Sequence, residues 1–176
     1  DFAGLKMDNT HLMGILNVTP DSFFDGGRNL NATSAISEGK SMWARGASII
    51  DVGGESTRPG AKPISQNQEL ARILPVIAGL SDANIRISVD TRHANVMKRA
   101  TVSGAKIIND VAGLRGDGAM AAALESGVPV VIMHMKGTPE NMQVDPNYRF
   151  APIEIFQFLK MRIDKAIESG IPASSI

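Results

Sequence analysis

Five stretches of this chain share one layout: a short apolar run that stops at a residue able to do chemistry. Asn17 follows Met13-Gly14-Ile15-Leu16, Asp51 follows Ser48-Ile49-Ile50, and Asp90 follows Ile87-Ser88-Val89. Asn109 and Asp110 follow Lys106-Ile107-Ile108, and His134 follows Val130-Val131-Ile132-Met133. One Asn or Asp in such a place is an ordinary turn former or helix cap. Carboxylates, carboxamides and an imidazole at the same point of five successive units describe instead the working edge of a site. Asp90 and Asn109 together suit the edge of an aminopyrimidine-type ring, which presents N–H donors beside an acceptor.

A second stretch reads as an anion site. In Gly53-Gly54-Glu55-Ser56-Thr57-Arg58-Pro59-Gly60, the glycines allow backbone N–H groups to turn toward a ligand. Ser56 and Thr57 add hydroxyl donors, and Arg58 a forked cation, which suits a phosphate or pyrophosphate. No Gly-Lys-Ser/Thr follows, so this is not a P-loop. The amide oxygen of Asn17 suits Mg²⁺, a hard cation that reaches proteins through one or two oxygens plus substrate phosphates. His11, His93 and His134 are not spaced as zinc ligands. His11 and His93 are expected to have no catalytic part, and His134, between Met133 and Met135, suits packing at least as well as chemistry. Phe23 and Phe24 stand side by side in a loop marked by Pro20 and Gly26-Gly27, where exposed rings need something to close on. Residues 20–27 are therefore expected to form a mobile lid, ordered only with ligand.

The elements that must position these groups alternate. Strands are predicted over 11–18, 48–52, 85–89, 106–108 and 128–133, with amphipathic helices between them. Asn31 or Thr33 is expected to cap the first helix, Ser65 with Gln68 to form a capping box on the second, and Asp117 to cap the fourth. Pro75 predicts a kink or break in the second helix. In the last, Ile155, Leu159, Ile163 and Ile167 recur on one face. A repeat runs through the chain: Arg45-Gly46-Ala47-Ser48-Ile49-Ile50, Ser103-Gly104-Ala105-Lys106-Ile107-Ile108 and Ser126-Gly127-Val128-Pro129-Val130-Val131 each end a helix at glycine before a buried strand. Ser169-Gly170-Ile171 begins it once more. Repeated strand–helix units imply an α/β fold with parallel pairing. Five units and the start of a sixth suit an incomplete (β/α)8 TIM barrel in a single domain over 1–176. A doubly wound open sheet has the same periodicity.

Composition narrows the function classes. Lys+Arg and Asp+Glu are 18 each, so the formal net charge is zero, which argues against nucleic acid or an acidic membrane as the main partner. There is no cysteine, hence no disulfide framework or thiolate metal site, in keeping with a reducing, cytoplasmic setting. No apolar run approaches the roughly 20 residues that span a bilayer.

With these motifs in place, the chain resembles the dihydropteroate synthase family, of the bacterial chromosomal type, over its N-terminal two-thirds. Residues 13–27 and 53–61 resemble that family's two signature segments. Ser88-Val89-Asp90-Thr91, Ile108-Asn109-Asp110-Val111 and Ile132-Met133-His134-Met135 follow in the family's order and spacing. The resemblance implies a TIM-barrel transferase of folate biosynthesis. It condenses 6-hydroxymethyl-7,8-dihydropterin diphosphate with p-aminobenzoate, needs Mg²⁺, works as a homodimer and is a target of sulfonamides. It further implies that Asp90 and Asn109 bind the pterin, with Ile15 and Met133 lining its pocket. Asn17 would hold Mg²⁺ and, with Thr57 and Arg58, the pyrophosphate; Asp90, Asn109 and Arg58 would be the catalytic groups. Phe23, Thr57 and Pro59 would form the p-aminobenzoate and sulfonamide pocket. A pterin-binding methyltransferase or a non-catalytic protein of the same fold are the alternatives; Ser56-Thr57-Arg58-Pro59 and the Phe-bearing first loop count against the former.

Overall fold

The structure, a computed structural model, describes residues 1–19, 28–56, 63–138 and 141–176, with 28–31 described in backbone only. Strands and helices alternate throughout. In chain order they are β1 (Met13–Asn17), α1 (Arg28–Ala44), β2 (Ile49–Gly53), α2 (Gln66–Ser81), β3 (Ile87–Asp90), α3 (Ala94–Val102), β4 (Ile107–Asp110), α4 (Ala119–Ser126), β5 (Val130–Ile132) and α5 (Ala151–Glu168), followed by a 3-10 turn, Ala173–Ser175.

Topology separates the two architectures that periodicity leaves open. The sheet order is β1-β2-β3-β4-β5 and every neighbouring pair is parallel. A doubly wound sheet reverses its order at a switch point, with helices on both faces. Here there is no reversal, and α1 packs on α2, α2 on α3 and α3 on α4 in a single outer layer. The five units form a sector of an incomplete (β/α)8 barrel.

Alternation along the strands builds the core. Leu16, Val52, Val89, Ile108 and Val130 occupy matching places in the ladder and are buried in one cluster with Ile73, Val76, Ile77 and Leu80 of α2 and Val96 and Met97 of α3. Each of these apolar side chains contributes roughly 1.5–3 kcal/mol by leaving water. The alternate residues face the other way, toward the barrel axis. They fall into two rows: Ile15, Asp51, Ser88 and Ile107, then Asn17, Gly53, Asp90, Asn109 and Val131 nearer the strands' carboxyl ends.

Local signals are kept in part. Ser65 caps α2 with the reciprocal Gln68 bonds of a capping box. Gly46, Gly104, Gly127 and Gly170 all have positive φ, between 65° and 119°, so the repeated glycine is the residue that lets each helix turn back toward the sheet. Other expectations fail. Pro75 does not end α2, which runs on to Ser81, with Ile73, Val76, Ile77 and Leu80 fully buried around the one missing N–H bond. The first helix already spans Asn31 and Thr33, so neither is its cap. The N-cap of α4 is Gly118, in a left-handed conformation with no side-chain bond, rather than Asp117. On α5 the fully buried positions are Arg162 and Ala166, while Ile167 is exposed. Arg162 takes the inner face because Nε and Nη2 donate to the carbonyls of Gly113 and Leu114, at 2.6 and 2.7 Å.

Candidate active site

Parallel pairing brings most of the predicted residues onto one concave surface. Asn17, Gly53, Asp90 and Asn109 lie across four strands in a single row. Ile15 of β1, at 65% exposure, and Met133, the residue after β5, at 36%, leave apolar surface open at the two edges of the sheet. Asp51 departs from its sequence assignment. It does not end β2, which continues to Gly53, but sits one row deeper beneath Asp90 and Asn109. There it is 5% exposed and accepts a hydrogen bond from Asn109 Nδ2 at 3.0 Å.

The electrostatics of this floor are unusual. Burial pushes Asp90 up to about 7, and the charges of Asp51, Asp110, Glu69 and Glu55 push the same way. Asp51 is also raised by burial, against which the Ser88 hydroxyl and the Asn109 amide favour its charged form. Among the described residues, neither Ser88 Oγ nor Asp51 Oδ1 has a well-formed hydrogen bond. A carboxyl that changes charge near neutrality is a characteristic of functional sites. In its charged form such a carboxyl is a hydrogen-bond acceptor, and in its neutral form it also carries a donor.

Two strand-end residues turn out to be structural. Asp110 is fully buried and accepts from the amides of Ala112 and Leu114, at 2.7 and 2.8 Å, fixing the turn after β4. His134 packs edge-on against Phe158, with ring centroids 4.9 Å apart, and against Tyr148 at 5.8 Å.

The anion loop is described only at its ends. Thr57, Arg58 and Pro59 lie outside the described residues, as do Phe23, Phe24 and the expected lid at 20–27. The ends show a device that the sequence did not reveal. Glu55 receives Arg92 through Nε at 3.0 Å and Nη2 at 3.2 Å, and its Oε1 also accepts the Ile64 amide at 3.2 Å. One carboxylate thus joins both ends of the loop to the segment after β3. Burial opposes the charge on Glu55, but Arg92 and the Ile64 amide outweigh it and hold the carboxyl below its ordinary range. Arg72 of α2 adds a bond to the Gly54 carbonyl at 2.7 Å.

Beneath this loop lies a second cluster that one-dimensional reading missed. His93 Nε2 stands 3.9 Å from both Glu55 Oε2 and Glu69 Oε2. Among the described residues, neither Glu69 oxygen nor His93 Nε2 has a hydrogen-bond partner. Glu69 is fully buried, which pushes its carboxyl up to about 7 against a favourable Thr91 hydroxyl; burial pushes His93 down. The only sequence signal was a Glu on the apolar face of α2.

Asn17 ends β1 exposed, beside Gly53, where a Cβ would lie 3.7 Å from its Oδ1. Among the described residues no group of three His, Cys, Asp or Glu is arranged to hold a metal ion. The Asn17 amide oxygen is itself a hard donor, of the kind that suits Mg²⁺ beside ligand oxygens.

Residues 13–176 match the family described as "Pterin binding enzyme". The chain is 44% identical over 170 residues to the dihydropteroate synthase of Escherichia coli strain K12, covering 96% of this chain and 60% of that protein. The Yersinia pestis dihydropteroate synthase solved with a sulfonamide drug superposes with a TM-score of 0.89 at 42% identity, over 96% of this chain and 62% of that one. Xanthomonas albilineans dihydropteroate synthase with 4-aminobenzoic acid also gives 0.89, at 41% identity, over 97% and 61%. The chain spans about three-fifths of the length of the bacterial dihydropteroate synthases it matches, such as those of Escherichia coli and Neisseria meningitidis. With the family's match running through every strand that carries the concave row, this chain belongs to the pterin-binding enzyme family.

Proposed function

We propose that this chain supplies the pterin floor and anion loop of a dihydropteroate synthase. The whole enzyme joins 6-hydroxymethyl-7,8-dihydropterin diphosphate to p-aminobenzoate, giving 7,8-dihydropteroate and pyrophosphate in cytoplasmic folate biosynthesis. One observation carries the reading: Asp90 and Asn109 share a row with Asn17 and Gly53, so a ring-reading pair adjoins the mouth of an anion loop. The same reading makes the chain part of a single barrel domain that pairs as a homodimer, and makes the p-aminobenzoate pocket the place where sulfonamides compete.

The residues divide the work. Asp90 accepts the ring N–H groups and counters positive charge that builds on the pterin as the C–O bond to pyrophosphate breaks. Asn109 fixes the ring beside it, with Ile15 and Met133 against its faces. Asn17 would hold Mg²⁺, which supplies charge stabilisation to the departing diphosphate. Thr57 and Arg58 receive the same anion, and the Glu55–Arg92 pair seats the loop that carries them. The new C–N bond forms from the aniline nitrogen, whose proton passes to solvent. Aniline is a weak nucleophile, so holding it against the methylene carbon with Phe23, Thr57 and Pro59 is a large share of the catalysis.

The test is pyrophosphate release by the full-length protein that carries this chain, given the pterin diphosphate, p-aminobenzoate and Mg²⁺. Release dependent on both substrates is expected. Its absence overturns the synthase reading. Asp90→Asn is expected to weaken pterin binding severely while leaving the fold intact, and unchanged binding overturns the role given to Asp90.

A further inference from the structure

Asp51 is a buried carboxylate that the proposed reaction does not use directly. It pairs in register with Ile15 and Ser88, one step below the row that faces a ligand. At 5% exposure it is too deep to meet a ring itself, and its hydrogen bond is to Asn109 Nδ2 at 3.0 Å. An ionised carboxylate has acceptors only. The Asn109 amide therefore has one orientation that makes a hydrogen bond downward, with its nitrogen toward Asp51. The opposite flip sets a carbonyl oxygen against a carboxylate oxygen. With the nitrogen held down, Oδ1 and the second N–H of Asn109 remain for the ligand.

We propose that Asp51 is a positioning residue that selects the amide orientation of Asn109, and through it the pattern of ring donors and acceptors that the site recognises. This rests on the pterin reading of the site. A second consequence separates it from mere packing. The charge of Asp51 opposes ionisation of Asp90, together with Asp110 from β4, Glu69 from α2 and Glu55 from the loop after β2. Removing that charge at constant shape eases the ionisation of Asp90, and ring binding that needs the Asp90 carboxylate then begins at lower pH.

Asp51→Asn keeps the shape and removes the charge. The probe is 6-hydroxymethylpterin, followed by its fluorescence between pH 5 and 7.5 on the full-length protein that carries this chain. The wild type is expected to bind with affinity that rises through neutrality. The variant is expected to bind about tenfold more weakly at pH 7.5, for the loss of one charge-assisted hydrogen bond. Its pH midpoint is expected to move down. Unchanged affinity overturns the assignment, and so does weaker binding with an unmoved midpoint, the result of a purely structural role. No binding by the wild type overturns the pterin reading and this inference with it. Should the variant not fold, the wild-type side-chain amide of Asn109 serves in its place. A hydrogen-bonded Nδ2 proton, detected by NMR with and without the probe, supports the assignment; an amide that flips freely overturns it.

Discussion

Arg92 reaches Glu55 through a two-toothed pair, at 3.0 and 3.2 Å, that ties the loop leaving β2 to the segment leaving β3. The same carboxylate takes the Ile64 amide, so a single side chain closes the neck of the anion loop. Glu55 is 10% exposed and Arg92 27%, a setting where a broken pair is felt because the remaining charge stays out of water.

Arg92→Gln is accordingly expected to lower stability by about 2 kcal/mol, the cost of leaving Glu55 short of its charged partner. Urea unfolding measures this. The variant is also expected to bind pyrophosphate more weakly while 6-hydroxymethylpterin binds as before, because the loop loses its seat and the ring-reading row does not. Equal losses for both ligands count against a role confined to the loop.

Glu69 gives stability a dependence on pH with a definite sign. Its carboxyl lies at about 7 in the fold, from an ordinary 4.5, so the folded state holds a proton that the unfolded state gives up earlier. Stability from this group is fully present below pH 4.5, falls between 4.5 and 7, and is level above that. The whole effect is on the order of 3 kcal/mol at most. Glu69→Gln is expected to flatten the slope and to leave the protein more stable than the wild type at pH 8. Denaturant midpoints at pH 5 and pH 8 decide the matter. A wild type whose stability does not fall across that range removes the premise.

How far the sequence carries the reader depends on the range of the interaction. Alternation of apolar runs and helices gave the βα units, and repeated glycines before the strands gave their boundaries, because both are local. The row of Asn17, Asp90 and Asn109 was legible because each lies at or one residue from the end of its strand, and parallel pairing aligns strand ends. Asp51 looks the same in one dimension, yet lies a row deeper; only register distinguishes it. The Glu55–Glu69–His93 cluster draws on the loop after β2, α2 and the segment after β3, and no spacing rule joins those three. Arg162 on the buried face of α5 contradicts the apolar pattern because two distant carbonyls receive it. Pro75 shows burial overriding a local rule.

Asp110 tests the division between ligand-facing and structural carboxylates. It is fully buried, and its oxygens hold the amides of Ala112 and Leu114. Asp110→Ala is expected to cost about 2–4 kcal/mol, from one buried and one half-buried donor left without acceptors. Pterin affinity, measured at a temperature where the variant stays folded, is expected to change far less than in Asp90→Asn. A pterin defect as large as that of the Asp90 variant places Asp110 in the site instead.

Two adjacent glycines, finally, are needed for different reasons, and alanine at each tells them apart. A Cβ on Gly54 would lie 2.7 Å from Ile73 Cγ2 and 3.2 Å from the Glu69 carbonyl oxygen. Ile73 is fully buried and the carbonyl belongs to the helix backbone, so neither yields; the loop itself must move. Gly54→Ala is expected to cost about 1–3 kcal/mol as overpacking and to weaken pyrophosphate binding as Glu55 is displaced with it. A Cβ on Gly53 would meet Asp90 at 3.6 Å and Asn17 Oδ1 at 3.7 Å, ordinary contact distances. Gly53→Ala is therefore expected to unfold within about 0.5 kcal/mol of the wild type, for want of any clash. It nonetheless fills the space between the ring-reading carboxylate and the anion anchor, so affinity for the pterin diphosphate is expected to fall while affinity for 6-hydroxymethylpterin alone holds. If Gly53→Ala loses as much stability as Gly54→Ala, or binds the diphosphate normally, the gap over Gly53 is not where ring and phosphates join.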